Sequence, residues 1–150
     1  MTPQELSILL VEDNDDDAEL TLRAFQRAKV PNPMVRARDG QDALDYLFAR
    51  GEHAQRDARD VPAVVLLDIN MPKISGLEVL QAIRANERTK HIPVVMLTSS
   101  NEDKDRLRAY DHWANSYVLK PVDYERFVEA AAQLGLYWIV LNALPPRTDA

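Results

Sequence analysis

The sequence predicts an α/β protein, a parallel sheet of five strands with helices on both faces. Three observations lead there. Short strand-like runs recur at residues 6–11, 34–37, 63–67, 92–97 and 116–119. Helical apolar repeats or polar helix-forming stretches separate them, and a strand–helix alternation of this kind gives right-handed parallel crossovers. Finally, the runs end in chemically active polar residues. Val64, Val65, Leu66 and Leu67 lead directly into Asp68, and Pro72 and Gly76 stop the strand and prepare the next helix.

The first run, LSILLV, ends in Glu12 and Asp13. Ala18, Leu22 and Phe25 then follow helical spacing, with Asn14 or Asp15 available as N-cap and acids in the first turn. Pro31 and Pro33 break this helix. After the strand at 34–37 and the Asp39-Gly40 turn, Ala43, Leu44, Leu47 and Phe48 mark a second helix, stopped by Gly51. Residues 50–61 are polar and charged and read as a solvated loop. The third helix carries Gly76, Val79, Leu80 and Ile83. The fourth strand ends in Thr98, Ser99 and Ser100, and residues 104–112 form a weak, mostly polar helix. The fifth strand ends in Lys120-Pro121. The last helix is capped by Asp123, buries Tyr124, Phe127, Val128 and Ala131, and terminates at Pro145-Pro146.

Composition narrows the function. The 150 residues suit one domain, spanning 1–150, with a helix and tail at 123–150. A net charge of −6 without a basic run argues against nucleic acid as a direct partner. With no cysteine, disulfides and thiolate metal sites are excluded. His53, His91 and His112 are scattered and read as surface groups. No signal pattern appears, and the longest apolar stretch, from Leu136 to Leu141, is far too short to span a membrane, so a cytoplasmic location is expected.

In a parallel sheet the C-terminal strand ends share one edge, where open α/β sheets bind their ligands. Glu12, Asp13, Asp68, Thr98 and Lys120 therefore converge on one crevice. Singly, each has a bland reading: Thr98 as a turn residue, Lys120 as a surface lysine, Asp68 as a turn cap. Asp15, Asp16 and Asp17 are better explained as first-turn acids complementing the helix dipole. Jointly the five suggest Mg²⁺, which takes oxygen ligands and is held by one or two carboxylates beside a phosphoryl group. Asp13, Asp68 and Glu12 would supply that site, Glu12 through water. Asp68 would act as an in-line nucleophile forming an acyl phosphate, with Lys120 and the Thr98 hydroxyl holding the phosphoryl oxygens.

The motifs ILLVEDN at 8–14, LLDINMPKISG at 66–76, VVMLTSS at 94–100 and YVLKP at 117–121 are together highly specific. The chain resembles the receiver domain of two-component response regulators. That resemblance implies a flavodoxin-like (βα)5 three-layer sandwich with strand order 2-1-3-4-5. It makes Asp68 the phosphoacceptor, Glu12 and Asp13 the acidic metal pair, and Asn70 a metal ligand through its backbone carbonyl. Thr98 and Lys120 contact the phosphoryl group, and Thr98 and Tyr117 form the switch. A cis Lys120-Pro121 peptide is implied too, and Asn70 and Ser100 occupy positions that tune hydrolysis. The signal would be read from the face built by the fourth predicted helix, the fifth strand and the last helix.

The long 50–61 loop and the aromatic-rich end of the last helix, with Tyr137 and Trp138, resemble the single-domain regulators paired with bacterial phytochrome kinases. His112-Trp113-Ala114 departs from the Gly-Ala pair usual before the fifth strand. Residues 136–141, bounded by Leu136 and Leu141, are apolar around more than one helical face. A long helix end folded back onto its own core would account for this. The preferred reading is an isologous homodimer interface, built from this segment and the face of the fourth predicted helix, fifth strand and last helix.

The expected protein is a stand-alone phosphoacceptor that takes its phosphoryl group from a sensor histidine kinase of the bacteriophytochrome type. It assists its own phosphorylation and dephosphorylation rather than acting as an enzyme. Two other classes compete. A Mg-dependent phosphohydrolase would place its Asp nucleophile on the first strand with a second carboxylate two residues on, where this chain has Asn70. A phosphorylation-independent adaptor would not need all five site residues.

Overall fold

Residue parity along the strands decides the architecture. In β1 (Ile8–Val11) all four residues are fully buried. Ile8 and Leu10 enter one core and Leu9 and Val11 the other. β3 (Val64–Asp68) divides the same way, with Val64 and Leu66 on the first face and Val65 and Leu67 on the second. A strand apolar at both parities has no face for water and must lie between two helical layers.

The computed structural model describes residues 7–69, 71–98, 116–119 and 124–134. Its remaining strands are β2 (Met34–Ala37), β4 (Val94–Thr98) and β5 (Ser116–Leu119). All pairings are parallel, in the order β2-β1-β3-β4-β5. This is the flavodoxin-like sheet that the sequence implied. Helix α1 (Asp15–Arg27) packs Ala18, Ala24 and Phe25 on the first face, where Ala131 of the helix Tyr124–Leu134 joins it. Helices α2 (Gly40–Leu47) and α3 (Gly76–Ala85) cover the other face through Ala43, Leu44, Leu47, Val79, Leu80 and Ile83.

Each of the first three helices starts with a side-chain cap just beyond the C-terminal edge of the sheet. Asn14 accepts from the Asp17 N–H, Asp39 from that of Asp42, and Ser75 from that of Glu78. Of the two caps open to α1, Asn14 is the one used. Helix α2 ends at Leu47, before the predicted stop at Gly51. Ala49 and Gly51 both take left-handed backbone angles (φ 53° and 58°), so the chain turns there without continuing the helix.

Residues 50–61 are exposed or partly exposed, as their polarity predicts, but the segment is tied to α2 at specific points. A 3₁₀ turn at Gly51–His53 brings His53 Nε2 to 2.7 Å from Asp42 Oδ1, with the His53 ring edge-on to Tyr46. The Arg56 guanidinium lies over the Tyr46 ring at 3.7 Å, and donates to the Tyr46 and Asp60 carbonyls. A cation held on a ring face and on two carbonyls can replace much of its hydration, so a charged segment folds against α2. His53 is accordingly half-buried rather than a surface group.

The predicted helix at 104–112, the Lys120-Pro121 peptide and the 136–141 segment lie outside the described residues.

Candidate functional site

Register places the site. Val11 pairs with Leu67, so Glu12, one residue on, stands level with Asp68. Asp68 pairs with Leu97, and Thr98 is the next and last residue of β4. Three of the five predicted site residues thus occupy adjacent central strand ends on the C-terminal edge. Lys120 and Asn70 lie outside the described residues, as does Ser100. Tyr117 is within β5, opposite Met96.

Glu12 is 0 % exposed and Asp68 5 %, whereas Asp13 is exposed. One carboxylate oxygen from each of the three lies within 4.8 Å of the others. Two oxygens across an octahedral Mg²⁺ are separated by about 4 Å. Three carboxylates this close, all hard oxygen donors, fit such an ion with small adjustments. Two of the donors, Glu12 and Asp68, are buried at the strand ends, and the exposed Asp13 completes the cluster from the solvent side.

Asp68 is held by its neighbours' backbones. Ile69 N–H donates to the Leu97 carbonyl at 3.1 Å, and Gly76 N–H to the Ile69 carbonyl at 3.1 Å. A Cβ at position 76 would stand 2.2 Å from the Asp68 carbonyl oxygen and 2.8 Å from the Ile69 Cα. Only glycine lets α3 begin so close to the end of β3. In the sequence Gly76 is a strand stop and the first position of the α3 apolar repeat; its close packing on the β3 backbone appears only in three dimensions.

Sequence reasoning also missed Arg36. Its Nε and Nη2 donate to the Glu12 carbonyl at 3.1 and 2.9 Å, and its Nη1 to Asp15 Oδ1 at 2.8 Å. The hydrogen bond and then the charge of Arg36 hold the Asp15 carboxyl below the usual carboxylate range. The available signal was one cation inside the four-residue strand MVRA.

A groove of about 610 Å³ lies elsewhere, between the C-terminal ends of α2 and α3 and lined by Leu47, Phe48, Ala58 and Ala85. It sits at the opposite edge of the sheet from the carboxylates, and its lining includes a single acid, Glu87.

Residues 8–132 match the model of the response regulator receiver domain. The chain belongs to the response regulator receiver family. Receiver domains are signalling proteins. This one is 42% identical over 138 residues to the probable methanogenesis regulatory protein FilR2 of Methanothrix harundinacea, covering 92% of this chain and 86% of FilR2. It superposes on the phosphorylated cyanobacterial phytochrome response regulator RcpA with a TM-score of 0.85 at 34% identity, over 95% of this chain and all of RcpA. The Mn²⁺-bound form of response regulator Rcp1 gives 0.83 at 31% identity, covering 94% of this chain and 99% of that one. The bacteriophytochrome response regulator AtBRR gives 0.76 at 49% identity, covering 94% and 100%. This receiver domain is therefore homologous to phytochrome response regulators, and its Glu12, Asp13 and Asp68 cluster fits a divalent metal.

Proposed function

We propose that this receiver domain is a Mg²⁺-dependent phosphoacceptor, with Asp68 as the residue phosphorylated. The carrying observation is the meeting of Glu12, Asp13 and Asp68 within 4.8 Å at adjacent strand ends. An Asp68 carboxylate oxygen attacks the phosphorus of the donor. The bond from phosphorus to the leaving group breaks, and an acyl phosphate forms on Asp68. Glu12, Asp13 and Asp68, with the backbone carbonyl of Asn70, would hold the metal. When bound, Mg²⁺ neutralises charge on the transferring phosphoryl group. Thr98 ends the strand next to Asp68, and its hydroxyl donates to the phosphoryl oxygens. Lys120 and the switch residue Tyr117 take their roles from the family resemblance.

The donor is a sensor histidine kinase. A bacteriophytochrome is the favoured one, on the 49% identity to AtBRR. Residues 1–150 act as one cytoplasmic receiver, a substrate that promotes its own phosphorylation rather than an enzyme. The signal leaves through the face around β5 and the helix Tyr124–Leu134. The apolar residues between Leu136 and Leu141 support a homodimer. No helix among the described residues is long and apolar enough to cross a membrane.

Intact mass after incubation with acetyl phosphate and Mg²⁺ tests the reading, with wild type beside Asp68→Asn. A gain of one phosphoryl group that requires both Mg²⁺ and Asp68 is expected. No gain in folded wild-type protein would put the phosphorylation-independent adaptor in its place.

A further inference from the structure

Arg36 is the one charged residue of β2, and its side chain is only 19% exposed. The strand register sets it beside Leu10, two residues short of Glu12. From there its guanidinium puts two N–H groups on the Glu12 carbonyl, at 2.9 and 3.1 Å, and a third on Asp15 at 2.8 Å. On the other side of the same residue, Glu12 N–H donates to the Ala37 carbonyl at 3.1 Å. Both backbone polar groups of Glu12 are therefore held from β2.

This grip falls where the chain leaves the sheet. Beyond Val11 the ladder to β3 does not continue through Glu12, and the Glu12–Asp13 peptide carries both acids of the metal pair. Rotation of that peptide would swing the exposed Asp13 carboxylate away from Glu12 and Asp68. A planar guanidinium can fix a carbonyl with two donors and still reach a carboxylate with a third, which an ammonium cannot do in the same geometry. Its contact with Asp15 also occupies the acid two residues beyond Asp13, which is not part of the cluster of three.

We propose that Arg36 is a positioning residue of the metal site, clamping the Glu12 carbonyl so that Glu12 and Asp13 are preorganised for a divalent cation. This rests on the reading of Glu12, Asp13 and Asp68 as metal ligands. Charge alone would have the opposite effect, since a fixed cation near the site repels the metal. Clamping and charge therefore predict different outcomes.

The test is Mn²⁺ titration of the full chain by calorimetry, for wild type, Arg36→Lys and Arg36→Gln, alongside metal-free thermal melts. Arg36→Lys keeps the charge without the fork, and Arg36→Gln removes the charge. Both variants are expected to bind Mn²⁺ about tenfold more weakly, the usual effect of losing a group that orients metal ligands, with metal-free melting midpoints near wild type. Wild-type affinity in Arg36→Lys would overturn the assignment, as would tighter binding in Arg36→Gln. An affinity loss matched by a lowered metal-free melting midpoint in both variants would make Arg36 merely structural and overturn it too. Wild-type protein that takes up no Mn²⁺ would instead sink the metal site itself.

Discussion

Asp68 is the last residue of a buried strand, and backbone packs closely against its carbonyl. The Cβ that position 76 lacks would lie 2.2 Å from the Asp68 carbonyl oxygen. Neither that oxygen nor the Ile69 Cα belongs to a side chain that can rotate aside. Gly76→Ala is expected to cost about 3 kcal/mol in urea denaturation, the upper part of the range for overpacking. It should also slow phosphoryl uptake from acetyl phosphate, because relieving the clash displaces Asp68, the proposed phosphoacceptor. Glu12, Asp13 and Asp68 were legible in the sequence as acids directly after or at the end of strand-like runs. Arg36 was not. A single arginine in a short strand reads as a solvent-facing edge residue, and nothing local says that it reaches a carbonyl 24 positions away.

Among the secondary-structure elements, the caps and the ion pairs carry different weight. Ser75 accepts the Glu78 N–H at 3.2 Å and starts the helix that packs behind Asp68. Ser75→Ala should lose about 1 kcal/mol, read from the shift in the urea midpoint. The Arg27–Glu125 pair, at 2.5 Å, links α1 to the helix Tyr124–Leu134, but both side chains are more than half exposed. Glu125→Gln should change stability by well under ~1 kcal/mol, because solvent and salt screen such a pair. Asp45 is held below the usual carboxylate range by its hydrogen bonds from Gln41 and then Arg50, and Glu87 by that from Lys90. Their folded-state pKa values lie below the unfolded ones. Each therefore contributes stability that is present above about pH 4 and lost as pH falls through the folded value. Thermal melts from pH 7 down to about 3 should show that acid loss, and Asp45→Asn should shrink it slightly. Residues 50–61 mark the limit of element-level reading. Periodicity finds apolar stripes, whereas this segment is held by Arg56 on the Tyr46 ring and His53 on Asp42, contacts that leave no periodic trace.

At the scale of the whole molecule, folding is what assembles the cluster that fits a divalent metal. The carboxylates that follow β1 and the one that ends β3 come within reach of one another only when the central sheet is assembled, so an ion held by them binds the folded state alone. Divalent metal at about a hundred times its dissociation constant should then add about 2.7 kcal/mol. For a chain of this size that raises the melting midpoint by roughly 5–10 °C. Melts with Mg²⁺ or Mn²⁺ and then excess chelator should show the rise and its reversal. The same melts on Asp13→Asn should show much less of a rise. An unchanged midpoint across the metal series would count against the acidic cluster as an ion site.

By itself the sequence determined the succession of strands and helices, the parallel pairing, the two apolar faces of β1 and β3, and the acids at their ends, while the spatial order of the strands was implied only by the family resemblance. Those properties depend on local patterns: strand runs apolar at both parities, helical repeats, and the residue that follows each run. The tertiary structure decided what lies beside what. It buried Glu12 completely, required glycine at position 76, folded residues 50–61 onto α2, and brought Arg36 to the Glu12 carbonyl. The physical reason is that sheet order and register place residues far apart in the chain at hydrogen-bonding distance. No pattern confined to one segment records which side chain will be waiting there.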